Sequence, residues 1–331
     1  MGRSVRPELS PTQIEPPATE AAVGWLLEGD PAVRWQALRD LSGAGPGAVE
    51  AARKRVALEG WGARLLALQD PGGTWAQGLY LPKWTSTTYT LLLLRDFGLE
   101  PGHPQALLAC ERLIEEGFYR DGGINFWASY KHSETCVTGM VLSVLAYFGS
   151  GDERLEKIAD HLLAQQMPDG GWNCRSYRGA THSSFHTTIL VLEALRDFGQ
   201  FSPHRAEEVR AAQERGREFL LVHRLFRSHR TGRVVDPRMT HFFFPPRWHY
   251  DILRALDYFR SVAASFDARM NDALEIVLQR RQEDGRWLLP AGYRGKIFFE
   301  LERAGEPSRW NTLRALRVLR RYGGGQHGPA G

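Results

Sequence analysis

The amino-acid sequence predicts an all-α fold of stacked helix pairs, and three observations carry that expectation. A unit of about 50 residues recurs along the chain. Within each unit an apolar helical stretch, a Gly-rich turn and a polar loop precede a second apolar helix. Strand signals are weak everywhere. Self-similarity at a fixed period marks repeat architectures, in which each unit buries its apolar face against its neighbours.

The repeat is read most easily at its turns: QDPGGTW (69–75), RDGGINF (120–126), QMPDGGW (166–172) and RQEDGRW (281–287). The helices that follow are TSTTYTLLLLRDFG (85–98), SETCVTGMVLSVLAYFG (133–149), SSFHTTILVLEALRDFG (183–199) and SRWNTLRALRVLRRYG (308–323). RWHYDILRALDYFR (247–260) is a more diverged copy. AAVGWLL and PAVRWQALRDL supply a sixth pair, with Pro31 where the first turn of a helix tolerates it. Each unit therefore reads as an outer helix, a turn, a loop and an inner helix stopping near an aromatic–Gly pair. Glycine there supplies a left-handed C-cap. Six such pairs stack as an open solenoid or close into a ring, and an open array would expose two apolar ends. Closure is expected over residues 19–323, as one domain. The Pro-rich stretch 1–18 and the tail 324–331 read as disordered.

Composition narrows the function. Hydrophobic content of 43% and charged content of 24% are those of a soluble globular protein. A net charge of +4, without a basic tract, gives no footprint for nucleic acid. Three cysteines, Cys110, Cys136 and Cys174, are too few and too odd for a disulfide framework. They fit a reducing, cytoplasmic setting. No apolar run reaches the roughly 18–20 residues that span a bilayer, and the start lacks a signal-peptide core. Peripheral membrane contact and oligomeric state stay open.

Gln69-x3-Gly73-x-Trp75 and Gln166-x3-Gly170-x-Trp172 match the QW repeat of squalene and oxidosqualene cyclases, and Arg281-x3-Gly285-x-Trp287 is one residue away. Over about residues 20–323 the chain resembles the α/α toroid shared by those cyclases and the β subunits of protein prenyltransferases. The cyclases' D-x-D-D motif is missing, as is the D-D-x-x-D cluster that holds magnesium diphosphate. Proton-initiated cyclisation and Mg2+ are therefore not expected.

The prenyltransferase resemblance implies a zinc site. That pattern places Asp-x-Cys at one inner-helix entrance and His at the next, and here Glu134-x-Cys136 is followed one repeat later by His186. Cys136 and His186 both lie thirteen residues before the glycines Gly149 and Gly199. Carboxylate, thiolate and imidazole fill three tetrahedral positions and leave one open. Lys131, three residues before Glu134, occupies the family's diphosphate-contacting lysine position. The family's arginine and tyrosine fall on Ala128 and Val137, which weakens a diphosphate in the family's pose. Residues i and i+2 are about 200° apart on a helix, so Glu134 must precede the first turn, with Ser133 or Thr135 as N-cap. The plainer readings are a helix-dipole carboxylate for Glu134, a small buried residue for Cys136 and a core histidine for His186.

Further candidates surround that site. His182 and His132 stand four residues before His186 and Cys136, and Cys174 is a rival thiolate. His249 and Asp251 are polar at a corresponding inner-helix start and would face the metal across the ring. Lys131, His182, His249 and Asp251 are thus the candidate catalytic groups. Thr138 shares a register with Thr87, Thr188 and Thr312, which either lines a cavity or permits close helix contact. Trp84, Phe185, Trp248, Tyr250 and Trp310 would wall an apolar pocket or belong to the core. Arg175, Arg178 and Arg247 are candidates for an anionic group.

The expectation is a zinc-dependent, isoprenoid-handling enzyme of prenyltransferase type acting on a small apolar substrate. One alternative is a zinc hydrolase or lyase on an apolar molecule. The other is a non-catalytic toroid that binds lipid or protein.

Overall fold

The fold is a computed structural model that describes residues 16–323. The expected tail lies outside those residues, as does most of the expected lead-in, since the first helix opens at Pro16. The helices are α1 (Pro16–Leu27), α2 (Pro31–Ala37, continued by a π-helical turn at Leu38–Ser42), α3 (Pro46–Lys54), α4 (Gly60–Leu66), α5 (Thr87–Phe97) and α6 (Pro104–Gly117). They continue as α7 (Thr135–Phe148), α8 (Arg154–Ala164), α9 (Phe185–Phe201), α10 (Ala206–Val222), α11 (Ile252–Ser261), α12 (Asn271–Gln279) and α13 (Arg309–Tyr322). Two short strands, β1 (Trp287–Leu288) and β2 (Pro307–Ser308), pair antiparallel across the last loop. Among the described residues no helix is long and apolar enough to cross a membrane.

The pairs are α1–α2, α4–α5, α6–α7, α8–α9, α10–α11 and α12–α13, with α3 an insertion between the first two. Inner helices α2, α5, α7 and α9 pack side by side in turn, as do α11 and α13, whereas α9 and α11 are joined through the Glu193–Arg254 side-chain pair. α13 touches α11 on one flank and both α1 and α2 on the other, so the chain closes on itself. The result is an α/α toroid. Burial separates the two rings. In inner helix α7 every residue but Cys136 and Tyr147 is buried, whereas outer helix α8 buries only Leu155, Ile158, Ala159 and Leu162. That i, i+3, i+4, i+7 spacing is the single apolar stripe of a surface helix.

The repeat motif has a mechanical reason. Trp75, Trp172 and Trp287 are fully buried, and each indole N–H donates to a carbonyl of its own outer helix, Leu65, Leu162 or Val277, at 2.7 Å. Each tryptophan's backbone N–H donates to a threonine hydroxyl on the inner helix: Thr87 at 3.1 Å, Thr188 at 3.0 Å and Thr312 at 3.1 Å. In the third repeat Thr138 takes the Ile124 N–H at 3.0 Å. The threonine register therefore fastens turns, and Thr138 is fully buried in that role. Gln69 and Gln166 extend the link outward. Each amide donates to its own turn and to the next outer helix, at the carbonyls of Gln105 (2.8 Å) and Ala212 (2.9 Å). Gly170 sits at φ +91, and a Cβ there would come within 2.5 Å of the Arg215 carbonyl.

The inner-helix terminators divide. Gly98 and Gly149 are left-handed C-caps as expected. Gly199 instead lies inside α9, which runs on to Phe201, and Gly323 is right-handed.

A polar belt ties all six inner helices together. Arg95 on α5 bonds Ser143 on α7, and Ser143 donates to Asp197 on α9 at 2.6 Å. Glu193 on α9 takes two bonds of 2.7 Å from Arg254 on α11. Asp257 on α11 pairs with Arg317 on α13 at 2.6 Å, and Arg317 reaches Gln36 on α2 at 3.0 Å. Gln36 returns to α5 through the Asp96 carbonyl at 2.9 Å. Burial by itself raises the Glu193 carboxyl, but the charge and hydrogen bonds of Arg254, then the charge of Arg95, outweigh it and hold the group at about 2.

Candidate functional site

The space inside the ring is divided by the segment 241–249, between α10 and α11, which enters the ring. Four backbone carbonyls hold it. Asn311 donates to Phe242 O at 2.6 Å and Arg314 to Phe243 O at 3.2 Å. Arg254 donates to Arg247 O at 3.0 Å and to His249 O at 2.6 Å. Phe244 stacks on Trp310 with centroids 4.1 Å apart. One chamber, of about 420 Å3, lies on the belt side and is lined by its guanidiniums and carboxylates. The other, of about 250 Å3, is walled by α5, by Phe243 and Phe244, and by the loop 289–304.

The second chamber's wall is more apolar than polar; Arg95, Asp96, Arg254, Arg294, Glu300 and Glu302 border it too, and Arg247 stands out among its charges. Arg247 lies over the Trp84 ring at 4.1 Å and donates to the Tyr293 carbonyl at 3.4 Å. Among the described residues no carboxylate forms an ion pair with it. Burial lowers its guanidinium to about 10, so it stays charged at neutral pH at a cost in stability. Arg247 and Trp84 are both at left-handed φ, 55° and 75°. Strain of this kind persists only where the surroundings enforce it. Here Trp84 Nε1 donates to Arg294 O at 3.0 Å, and Gly295 lies so close that a Cβ would fall 1.9 Å from the same nitrogen. Tyr89 meets Trp84 edge-on at 5.0 Å and donates its hydroxyl proton to Tyr80 at 2.9 Å.

His249 is sandwiched between Tyr293, with centroids 3.3 Å apart, and Trp248 at 3.6 Å. Burial, helped by His186, lowers it to about 3, so it is neutral near pH 7. Asp251 is the N-cap of α11, accepting from Arg254 N at 2.8 Å, with Arg314 at 3.5 Å. It is a buried structural carboxyl rather than a group aimed across the ring.

The expected zinc set does not assemble. Glu134 has the non-helical backbone that convergence needs, φ −94 and ψ 118, but it is itself the N-cap, where Ser133 or Thr135 was expected. His186 is turned to the next helix. Its Nδ1 accepts from Tyr250 N at 2.8 Å, and its ring stands against Trp248 and His249. Burial lowers it to about 4. Cys174, from the loop before α9, is the neighbour that does most to push the Cys136 thiol up, ahead of burial. Among the described residues no group of three or more His, Cys, Asp or Glu is placed to hold a metal ion. Equal register on neighbouring helices fixed the height of Cys136 and His186 but not the direction of the imidazole.

The other candidates scatter. Lys131 is exposed and borders a rim cleft with Tyr80, Trp127 and Tyr130, away from the apolar chamber. His182 is exposed and offers only its carbonyl, to Asn173 at 2.7 Å. Phe185 and Tyr250 pack against each other in the core, Phe185 also against Phe219, with the Tyr250 hydroxyl on Leu225 O. Trp310 lines the belt-side chamber, and Trp84 alone of the five aromatics lines the apolar one. Arg175 and Arg178 are exposed. Phe243, Phe244, Tyr293 and the loop 289–304 lie outside the repeat, so the period gave no signal for them.

No protein-family model matches the chain, and no curated protein matches it. Solved structures similar to it include a protein from Actinoplanes, 18% identical over 92% of this chain and 98% of its own, with a TM-score of 0.46. The apo form of the type II terpene cyclase MstE from Scytonema is 18% identical over 92% of this chain and 96% of that one, with a TM-score of 0.46. A variant of that cyclase in complex with merosterolic acid A, its product, is 17% identical over 93% and 96%, with a TM-score of 0.47. These are similarities in the course of the chain. The toroid itself is read from the helix order and closure described above.

Proposed function

We propose that the toroid handles an isoprenoid or similar apolar chain molecule bearing an anionic head, held in the chamber walled by α5, the segment 241–249 and the loop 289–304. The observation that carries this reading is Arg247, a half-buried charged guanidinium in the chamber wall that no carboxylate pairs with among the described residues, although Asp96, Glu300 and Glu302 border the same chamber. A desolvated cation is costly, and an anionic ligand group would relieve that cost. The apolar part would lie on Leu92, Phe243, Phe244 and Leu289, all in the chamber wall. The repeat's resemblance to isoprenoid-handling toroids points to the same class of molecule.

The reading uses no metal, because Glu134, Cys136 and His186 do not converge. It assigns binding and orientation to the chamber. Prenyl transfer, the finer expectation, would require an acceptor beside Arg247 in the same space.

Farnesyl diphosphate and farnesol, titrated calorimetrically against the full chain, test the proposal. The diphosphate is expected to bind more tightly than the alcohol. A charge-assisted hydrogen bond contributes about 1.5–3 kcal/mol, so Arg247→Met should weaken the diphosphate about 10- to 150-fold and leave farnesol nearly unchanged. Equal affinity of parent and variant for the diphosphate would refute the role of Arg247. Release of diphosphate on incubation would identify turnover rather than binding alone.

A further inference from the structure

Two imidazoles meet at the end of outer helix α10, away from the walls of the apolar chamber. His223 is the C-cap of α10, and His229 stands in the turn of the hairpin that follows, where Arg227 bridges to Val234. His223 Nε2 and His229 Nδ1 are 3.0 Å apart. His223 Nδ1 lies 2.8 Å from the Phe219 carbonyl, which can only accept, so that nitrogen carries the proton of the neutral ring. Nε2 is then a lone pair aimed at the His229 Nδ1–H.

The pair is held in place on both sides. The His223 ring stands edge-on to Phe185 at 5.3 Å and packs against Phe219 at 4.6 Å. The hairpin is closed by Ser228 N–H donating to the Arg233 carbonyl and Gly232 N–H to the Ser228 carbonyl, both at 2.8 Å. Arg227 fixes the hairpin's base to Asp272 on α12 at 2.7 Å. His223 is half-buried and His229 exposed, so solvent reaches the pair.

We propose that His223 and His229 form a two-imidazole site for a divalent transition-metal ion of the zinc, nickel or copper class. Zinc–nitrogen bonds of about 2.0–2.1 Å, meeting at about 90–110°, place two ligating nitrogens about 2.9–3.4 Å apart, and this pair stands at 3.0 Å. A ligating histidine characteristically donates its other ring N–H to a carbonyl or carboxylate, as His223 does to Phe219. Imidazole is a ligand these ions favour. The C-terminal pole of α10, a helix of 17 residues, adds a field that attracts a cation. Arg224 and Arg227, the nearest arginines in the chain, are both paired with Asp272.

On binding, the ion takes the place of the shared proton. His229 moves that proton from Nδ1 to Nε2 through water, so each imidazole offers one lone pair and the neutral pair releases no proton. With no third His, Cys, Asp or Glu placed beside it among the described residues, water completes the coordination. The ion then clips the hairpin to the end of α10, on the stretch of chain that leads to the segment 241–249.

Zinc titrated calorimetrically into the full chain, purified without metal, tests the proposal, and anomalous scattering at the zinc edge locates the ion. One ion per chain is expected, with its anomalous peak between His223 and His229. His229→Gln, a change at an exposed position, should weaken zinc about tenfold or more, since losing even an outer partner of a ligating histidine costs that much. His182→Gln, at another exposed histidine, should leave the affinity unchanged. A peak at Cys136, Cys174 or His186 in place of the pair would overturn the proposal. So would full affinity in His229→Gln, or no saturable binding below about 1 mM. Because the parent protein shows where the ion sits, the result does not depend on how the variants fold or on any ligand of the apolar chamber.

Discussion

Arg254→Met is expected to lower the free energy of unfolding by about 3–5 kcal/mol, the usual cost of breaking a buried ion pair from one side. Arg254 is only 5% exposed and makes two bonds to Glu193, itself 7% exposed. Removing the guanidinium leaves Glu193 buried with Arg95 alone, 3.5 Å away. It also frees the carbonyls of Arg247 and His249 that hold the segment crossing the ring. Guanidinium-chloride unfolding measures the loss, and a change under about 1 kcal/mol would mean that the belt is no stronger than a surface pair.

The same pair sets a pH window. The Glu193 carboxyl is held at about 2 in the folded chain against an ordinary value of 4.5. A depressed carboxyl contributes stability above its unfolded value and loses it as the pH falls through the folded one. Stability should therefore fall between about pH 4.5 and pH 2. Glu193→Gln should make that slope shallower rather than abolish it, because Asp257, raised by burial but held down more strongly by Arg317 and Arg260, titrates in the same direction. An unchanged slope would exclude Glu193 as a source.

Trp172→Ala should cost about 3–5 kcal/mol, as large-to-small changes at buried aromatics do. Trp172 is completely buried and packs where a Cβ on Gly216 would already come within 2.8 Å of its ring. Truncation opens a cavity between α8 and α10 and leaves the Leu162 carbonyl without the indole N–H. Trp172→Phe keeps most of the volume and loses only that bond, so it should cost less than half as much. Equal losses would show the hydrogen bond, and not the packing, to be the larger contribution.

The sequence legibly carried whatever repeats. Gln, Gly, Trp and Thr recur at fixed spacing because each copy solves the same mechanical problem, fastening an outer helix, a turn and an inner helix. Their recurrence revealed the pairs, their number and the all-α class. Cys136 and Cys174 were both visible as thiols, and Arg247 as a candidate for an anion. Which of them meet was not visible, because register fixes height along the ring while side-chain direction depends on what each helix packs against. His186 turned to the Tyr250 amide at the entrance of the next inner helix.

By itself, then, the sequence determined the helix pairs and the buried fastenings, since those rest on local spacing and burial that every copy repeats. Only the tertiary structure decided the interior. The segment 241–249 and the loop 289–304 occur once, have no partner copy to be compared with, and take their positions from carbonyl contacts and ring stacking with residues far away in the chain. The chamber and its unpaired guanidinium follow from those long-range contacts.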